Sequence, residues 1–270
     1  MKKEEFYTYT LPNGIRCILK QVRSAVCYCS MTIGAGSRDE QAGEQGIAHL
    51  VEHTLFKGTT KRKAYQVNCR LENLGGEINA YTTKEETTFY AATLNNHFRT
   101  TLHLLADMVL RPTFNKKETD KEVTVILDEI ESYNDSPSEL IYDDFESLLF
   151  EGSSLAMPIL GTKKTLKRIS KSPDYPLHWM AQHYRPERMV LFVQGNVSTK
   201  QVIAAAEKEL LSPSPYRPIA ASPITHSEAS YRQSPIAYSR TYKRHTHQTH
   251  IMLGSHTYPI GHPKQLTMFL

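Results

Sequence analysis

Cysteine is scarce in this sequence. The 270 residues contain four cysteines, too few for the disulfide framework of a small secreted domain. Cys27 and Cys29 lie two positions apart in a predicted strand, so they share one face of a sheet and lack the Cys-x-x-Cys spacing of a structural zinc site. We therefore expect buried free thiols in a reducing compartment at Cys17, Cys27, Cys29 and Cys69.

Long apolar runs and long blocks of one charge are also missing. No segment approaches the roughly 18 apolar residues that cross a bilayer, and residues 1–7 mix two lysines with two glutamates, unlike a secretory or transit peptide. The 32 basic and 28 acidic residues are spread along the chain, without the basic block of a nucleic-acid-binding arm. We expect a cytoplasmic globular protein with neither a membrane nor nucleic acid as its partner.

An otherwise apolar segment, residues 46–56, contains residue types that bind metals. His49 and His53 are four positions apart, so an α-helix places both imidazoles on one face, as two ligands of one metal ion require. Glu52 lies beside them and can act as a general base. His-x-x-Glu-His is the inverted form of the His-Glu-x-x-His zinc signature, and it predicts a zinc-dependent peptidase.

The rest of the sequence predicts an α+β fold. We expect one two-layer domain in which helices cover a mostly antiparallel β-sheet. Asn95 is predicted to cap the helix that follows it. The predicted strands are 6–11, 15–22, 25–33, 77–81, 87–94 and 188–194, and the predicted helices after the histidine segment are 63–74, 96–110, 118–133, 138–150, 165–169, 176–183 and 199–211.

A change of composition near residue 211 predicts a domain boundary. Residues 213–235 contain five prolines and little apolar periodicity, which is typical of an interdomain linker. Residues 1–212 are therefore predicted to form the zinc-binding peptidase domain. Residues 236–270 would begin a second, similar domain, with a strand at 249–254 and then an apolar helix. Because that helix ends without a cap, we expect a longer protein.

A catalytic zinc ion usually has three protein ligands, so a third must come from another part of the chain. Glu122 and Glu129 lie seven positions apart in a predicted helix, nearly two turns, and project from the same face. A carboxylate near core positions is costly to bury unless it binds or pairs with a cation. Either glutamate is therefore a better candidate than Asp120 or Glu131.

With these residues in place, the sequence resembles the pitrilysin and mitochondrial-processing-peptidase family of inverted zinc metallopeptidases. The resemblance extends from the first strand to the end of the chain. It rests on residues 49–53, 79–82, 122–129 and 184–190. It implies that His49, His53 and Glu129 bind one zinc ion per chain, with Glu52 as the general base. Glu122 would support the site without binding the metal.

The same resemblance implies how substrate binds. An extended or unfolded peptide would pair with the edge strand 76–81 near Asn79 and Ala80, whereas Tyr81 would either touch substrate or pack within the fold. Zinc would activate a water molecule, and Glu52 would accept its proton as hydroxide attacks a peptide carbonyl. A second similar α/β domain is the implied partner that closes the chamber. A homodimer is left open.

Three alternatives remain. The histidine pattern could be a chance match on a helix. The chain could instead be a non-catalytic fragment that binds a peptide or a partner, because most of the second domain is missing. The sequence also alternates histidines along a predicted strand, at His245, His247 and His250. We expect a solvated strand edge there, because no carboxylate is near in sequence.

Overall fold

A six-stranded sheet forms the centre of the fold in the computed structural model, which describes residues 6–172, 174–211, 239–244, 248–259 and 261–265. The strands are β1 (Tyr7–Thr10), β2 (Arg16–Gln21), β3 (Val26–Ile33), β4 (Glu77–Thr82), β5 (Thr87–Leu94) and β6 (Met189–Gly195). Their order is β1-β2-β6-β3-β5-β4, which places β4 at one edge. β2 and β6 run parallel, whereas all other neighbouring pairs are antiparallel.

Helices are interspersed with the strands along the chain and cover one face of the sheet. They are α1 (Ile47–Leu55), α2 (Ala64–Glu72), α3 (Phe98–Leu110), α4 (Lys116–Asn134), α5 (Pro137–Leu149), α6 (Lys163–Ile169), α7 (Asp174–His183) and α8 (Thr199–Leu210). Strand β3 shows the two faces clearly, because Cys29 and Met31 are buried whereas Tyr28 is 50% exposed. This alternation follows from the period-two geometry of a strand. The predicted α+β fold with a mostly antiparallel sheet is confirmed.

The predicted strand at 249–254 is wrong. Residues 248–259 have no regular secondary structure. A strand needs a neighbouring strand to satisfy its backbone groups, and this segment instead lies along α5, with Gly254 against Phe145 and His256 against Phe150. The linker predicted at 213–235 lies outside the described residues, as do residues 266–270 of the predicted last helix. The predicted domain boundaries therefore stay predictions.

The cysteines are free, as predicted. Cys17, Cys27 and Cys29 are buried, and burial raises the pKa of both the Cys17 and Cys27 thiols to about 11. Cys69 differs from the prediction because it is only half-buried on α2. Among the described residues, the helices are too short or too polar to cross a membrane.

Candidate metal centre

The helix α1 is buried on several sides, so its position in the fold is closely determined. Ile47, Leu50 and Leu55 are almost completely inaccessible, and the helix packs against α4, α7 and β4. Apolar residues on more than one side of a helix are typical of a helix inside a core. The polar residues of α1 are therefore held in place by the packing of their apolar neighbours.

The start of α1 is held by Glu40. Its two carboxylate oxygens accept hydrogen bonds from the backbone nitrogens of Gly46 and Ala48, each at 3.0 Å. These are N–H groups that an α-helix cannot satisfy by itself. Burial raises the pKa of Glu40 to about 8, although the two backbone hydrogen bonds oppose that shift. Gly46 has φ of +92°, a conformation that glycine adopts without strain.

The two histidines of α1 lie on one face, as their spacing predicts. The rings of His49 and His53 meet edge to face, with centroids 4.5 Å apart. Nε2 of His49 is 3.9 Å from Oε2 of Glu129, and Nε2 of His53 is 3.8 Å from the same oxygen. Residue spacing left Glu122 and Glu129 as alternatives, whereas the family resemblance implied Glu129. Glu129 is the carboxylate that faces both Nε2 atoms.

Glu122 lies on the other side of His53. It is buried, with 6% exposure, and its Oε2 is 3.2 Å from Nδ1 of His53. Its second oxygen lies 2.7 Å from Nζ of Lys57. A buried carboxylate requires such partners because unpaired charge is costly in the core. Glu122 therefore contacts the back of one candidate ligand rather than the space between the Nε2 atoms.

The arrangement of His49, His53 and Glu129 fits a metal ion. One ligand atom from each residue lies within 4.8 Å of the others. A tetrahedral ion with bonds of about 2.1 Å holds its ligands roughly 3.4 Å apart, so small side-chain rotations would close the site. Burial first, and His53 second, lower the pKa of His49 to about 3, which keeps this imidazole neutral and able to donate its lone pair. Two imidazoles and one carboxylate are typical of catalytic sites that keep one position open.

Glu52 lies beside this cluster. It is buried, and its Oε2 accepts a hydrogen bond of 2.5 Å from Oγ1 of Thr82, the last residue of β4. Burial raises the pKa of Glu52, with Glu129 adding to the effect, whereas Thr82 and His53 act in the opposite direction. A carboxyl group with a raised pKa next to a metal site is suited to taking up and returning a proton.

The edge strand β4 runs past the cluster. Oδ1 of Asn79 accepts a hydrogen bond of 2.8 Å from the backbone nitrogen of Ala80. The ring of Tyr81 is 6.1 Å from that of Tyr90 yet remains 45% exposed, so it both packs and faces solvent. The sequence predicted that these residues line an edge strand, and β4 is at the edge. Their contact with a substrate stays a prediction.

The sequence did not predict that Lys57 and Thr82 contact residues of this site. Lys57 lies two positions beyond α1 and pairs with Glu122, but no local spacing connects it to a residue 65 positions away. Thr82 belongs to the stretch 79–82 that carried the resemblance, so its place near the site could have been noticed. Its hydrogen bond to Glu52 joins residues 30 positions apart and depends on how β4 packs on α1.

Comparison with known proteins gives two family matches. Residues 16–163 match the family model described as Insulinase (Peptidase family M16), and residues 174–270 match Peptidase M16 inactive domain. The uncharacterized zinc protease YmxG of Bacillus subtilis is 34% identical over 261 residues, which cover 95% of this chain and 60% of the relative. The beta subunit of mitochondrial-processing peptidase of Caenorhabditis elegans is 30% identical over 230 residues, which cover 85% of this chain and 47% of the relative.

Solved structures share the fold. A protease from Helicobacter pylori aligns with a TM-score of 0.75 at 22% identity, over 82% of this chain and 53% of that one. An M16-like peptidase from Alicyclobacillus acidocaldarius aligns with a TM-score of 0.70 at 24% identity, over 78% of this chain and 50% of that one. This likeness concerns the fold alone. The chain spans about half the length of the curated relatives that it matches, and about half of each of these two structures.

Proposed function

The chain belongs to the insulinase family of peptidases, family M16, and from this premise we propose that it forms the metal-binding part of a zinc-dependent endopeptidase acting on unfolded or extended peptides. One observation carries the proposal. The Nε2 atoms of His49 and His53 converge on the carboxylate of Glu129, and the buried carboxylate of Glu52 lies beside them. Relatives named zinc proteases support zinc as the metal.

Each residue of the site would have a separate role. His49, His53 and Glu129 would hold one zinc ion, and Glu122 would fix the ring of His53. When bound, zinc supplies Lewis-acid chemistry, which lowers the pKa of water and polarises a carbonyl. Glu52 would accept a proton from the attacking water and then return it to the leaving amine.

Substrate would bind along β4. An edge strand presents unpaired backbone groups, so an extended peptide can add to the sheet there with little regard for its side chains. Asn79, Ala80 and Tyr81 lie on this edge, and the peptide would displace the hydrogen bond that Asn79 now makes with the nitrogen of Ala80. The match of residues 174–270 to the second family model supports a second similar domain as the partner.

The proposal is tested on the full-length protein by metal analysis and by one substitution. We expect near-stoichiometric zinc at neutral pH without chelator. Glu52→Gln should retain that zinc and lose peptide cleavage by roughly 10²- to 10⁴-fold, because it removes the base and leaves the ligands. Glu131→Gln, on an exposed part of α4, is the matched control and should keep the activity. Protein without zinc, or cleavage that survives Glu52→Gln, would contradict the proposal.

The alternative of a non-catalytic binding fragment is not favoured. Glu52 and the three candidate ligands are all present and lie together, whereas a binding module has no need of a general base. Location in the cytoplasm remains a prediction of the sequence.

A further inference from the structure

Thr82 is the hydrogen-bond partner of the proposed base, Glu52. Its hydroxyl donates a hydrogen bond of 2.5 Å to Oε2 of Glu52, and it is the one described residue that hydrogen-bonds this carboxylate. Glu52 is buried, so few other orientations would satisfy the oxygen. A hydrogen bond to a charged acceptor is also among the stronger ones. The hydroxyl of Thr82 therefore determines where the carboxylate of Glu52 points.

Thr82 is itself held in place by the neighbouring strand and by the turn that follows it. It lies at the end of β4, opposite Thr87 of β5, where the chain turns. The turn is fastened to the segment before α1, because the backbone nitrogens of Ser37 and Arg38 donate to the carbonyls of Thr83 and Lys84 at 3.2 and 2.8 Å. The two segments approach so closely that a Cβ on Gly36 would lie 2.4 Å from the Thr83 carbonyl oxygen. The position of the Thr82 hydroxyl is thus fixed by two elements.

We propose that Thr82 is a positioning residue that ties the base Glu52 to the peptide-binding edge strand. The inference rests on the proposed function. Residues 79–81, where the peptide backbone would lie, directly precede Thr82 in the same strand. β4 would hold the peptide, and it also contains Thr82, which orients the carboxylate of Glu52. The position of β4 therefore sets the distance between the scissile carbonyl and the base. Pre-oriented groups of this kind contribute to the rate rather than to binding.

Substitution of Thr82 separates this role from a merely structural one. Thr82→Val keeps the branched shape and removes the donor, so kcat for a peptide should fall by about tenfold or more while KM changes by less than about twofold. Thr82→Ser restores the hydroxyl and should return kcat to within about threefold of wild type. Thr10→Val is the matched control, since Thr10 is an exposed threonine in the opposite edge strand β1. Wild-type kcat in Thr82→Val, or no rescue by serine, would overturn the proposal.

A binding measurement without turnover checks that the effect is on the base and not on the strand. A fluorescent peptide is titrated into the Glu52→Gln protein with and without Thr82→Val. We expect equal dissociation constants, within about twofold, because β4 binds the peptide through its backbone. A loss of affinity as large as the loss of kcat would overturn the proposal and make Thr82 a substrate-binding residue.

A third measurement needs neither zinc nor activity. In zinc-free protein, the melting temperatures of wild type, Thr82→Val, Glu52→Met and the double variant form a cycle. The shifts should be clearly non-additive, because either single change already breaks the same hydrogen bond. Additive shifts would overturn the proposal. If the cycle is non-additive but wild-type protein cleaves no peptide, the proposed function fails while the link between Thr82 and Glu52 stands.

Discussion

Nδ1 of His53 lies 3.2 Å from Oε2 of Glu122, and this contact joins α1 to α4 behind the candidate metal ligands. Lys57 holds the other oxygen of Glu122 at 2.7 Å. A carboxylate at Nδ1 favours the tautomer that carries its proton there, which leaves the lone pair on Nε2. Nε2 is the atom that faces Glu129. Glu122 would thus prepare His53 to bind a metal without itself being a ligand.

Glu122→Ala should therefore weaken zinc binding without abolishing it. Loss of the partner at Nδ1 frees the ring of His53 to rotate and to exchange tautomers, and such changes typically cost 10- to 100-fold in metal affinity. Competition with a chromophoric chelator measures the effect. Asp120→Ala, which removes an exposed carboxylate from the same helix, should leave the affinity unchanged. Equal affinities in wild type and Glu122→Ala would show that the contact has no role in metal binding.

Glu129→Ala should have a larger effect, because it removes a proposed ligand. With two imidazoles left, we expect zinc affinity to fall by at least roughly 100-fold, below what is needed to survive dialysis. The neighbouring residue supplies a close control. Asp128 is also exposed on α4 but does not belong to the cluster, so Asp128→Ala should retain zinc. If Glu129→Ala kept full zinc occupancy, the third ligand would have to be another residue.

The stability of the zinc-free protein should depend on pH through His49. Its folded pKa is about 3, whereas the unfolded chain has a value near 6.5. Between these values the unfolded state binds more protons, so the free energy of unfolding falls as pH drops from 6.5 toward 3, by at most about 1.4 kcal/mol per pH unit. The free energy of unfolding, measured with urea at several pH values across this range, should change less steeply with pH in His49→Gln than in wild type. His178→Gln, on an exposed part of α7, should match wild type, and equal slopes in all three proteins would refute the assignment.

Those parts of the site that depend on local geometry could be predicted from the sequence. His49 and His53 are one helical turn apart, so any helix brings them together. Strand β5 was predicted with its observed ends, Thr87–Leu94, because β-rich residues lie between clear turns. The choice between Glu122 and Glu129 was different. Both project from one face of α4, about 10 Å apart along its axis, so the way α4 packs against α1 determines which of them faces Nε2.

Asn95 shows why patterns among neighbouring residues do not predict contacts between distant parts of the chain. The sequence predicts that it caps α3, but its side chain instead donates to the carbonyl oxygens of Ser24 and Ala25 and accepts from the backbone nitrogen of Asn196. It therefore joins the ends of three strands that are distant in sequence. The contacts of Lys57 with Glu122 and of Thr82 with Glu52 are of the same kind. Pairings between distant residues leave no periodic pattern in a single sequence.

A buried ion cluster on α3 should be essential for stability. Asp107 is fully buried and binds Nε of Arg111 at 2.9 Å, Oγ1 of Thr59 at 2.7 Å and the guanidinium of Arg62. Burial alone would raise the pKa of Asp107, but these partners outweigh it and lower the pKa. Asp107→Ala leaves two arginines without their carboxylate, so we expect a loss of about 3–5 kcal/mol in the free energy of unfolding. Denaturant unfolding measures it, with the exposed Asp128→Ala as control, and a loss below about 1 kcal/mol would contradict the structural role of the cluster.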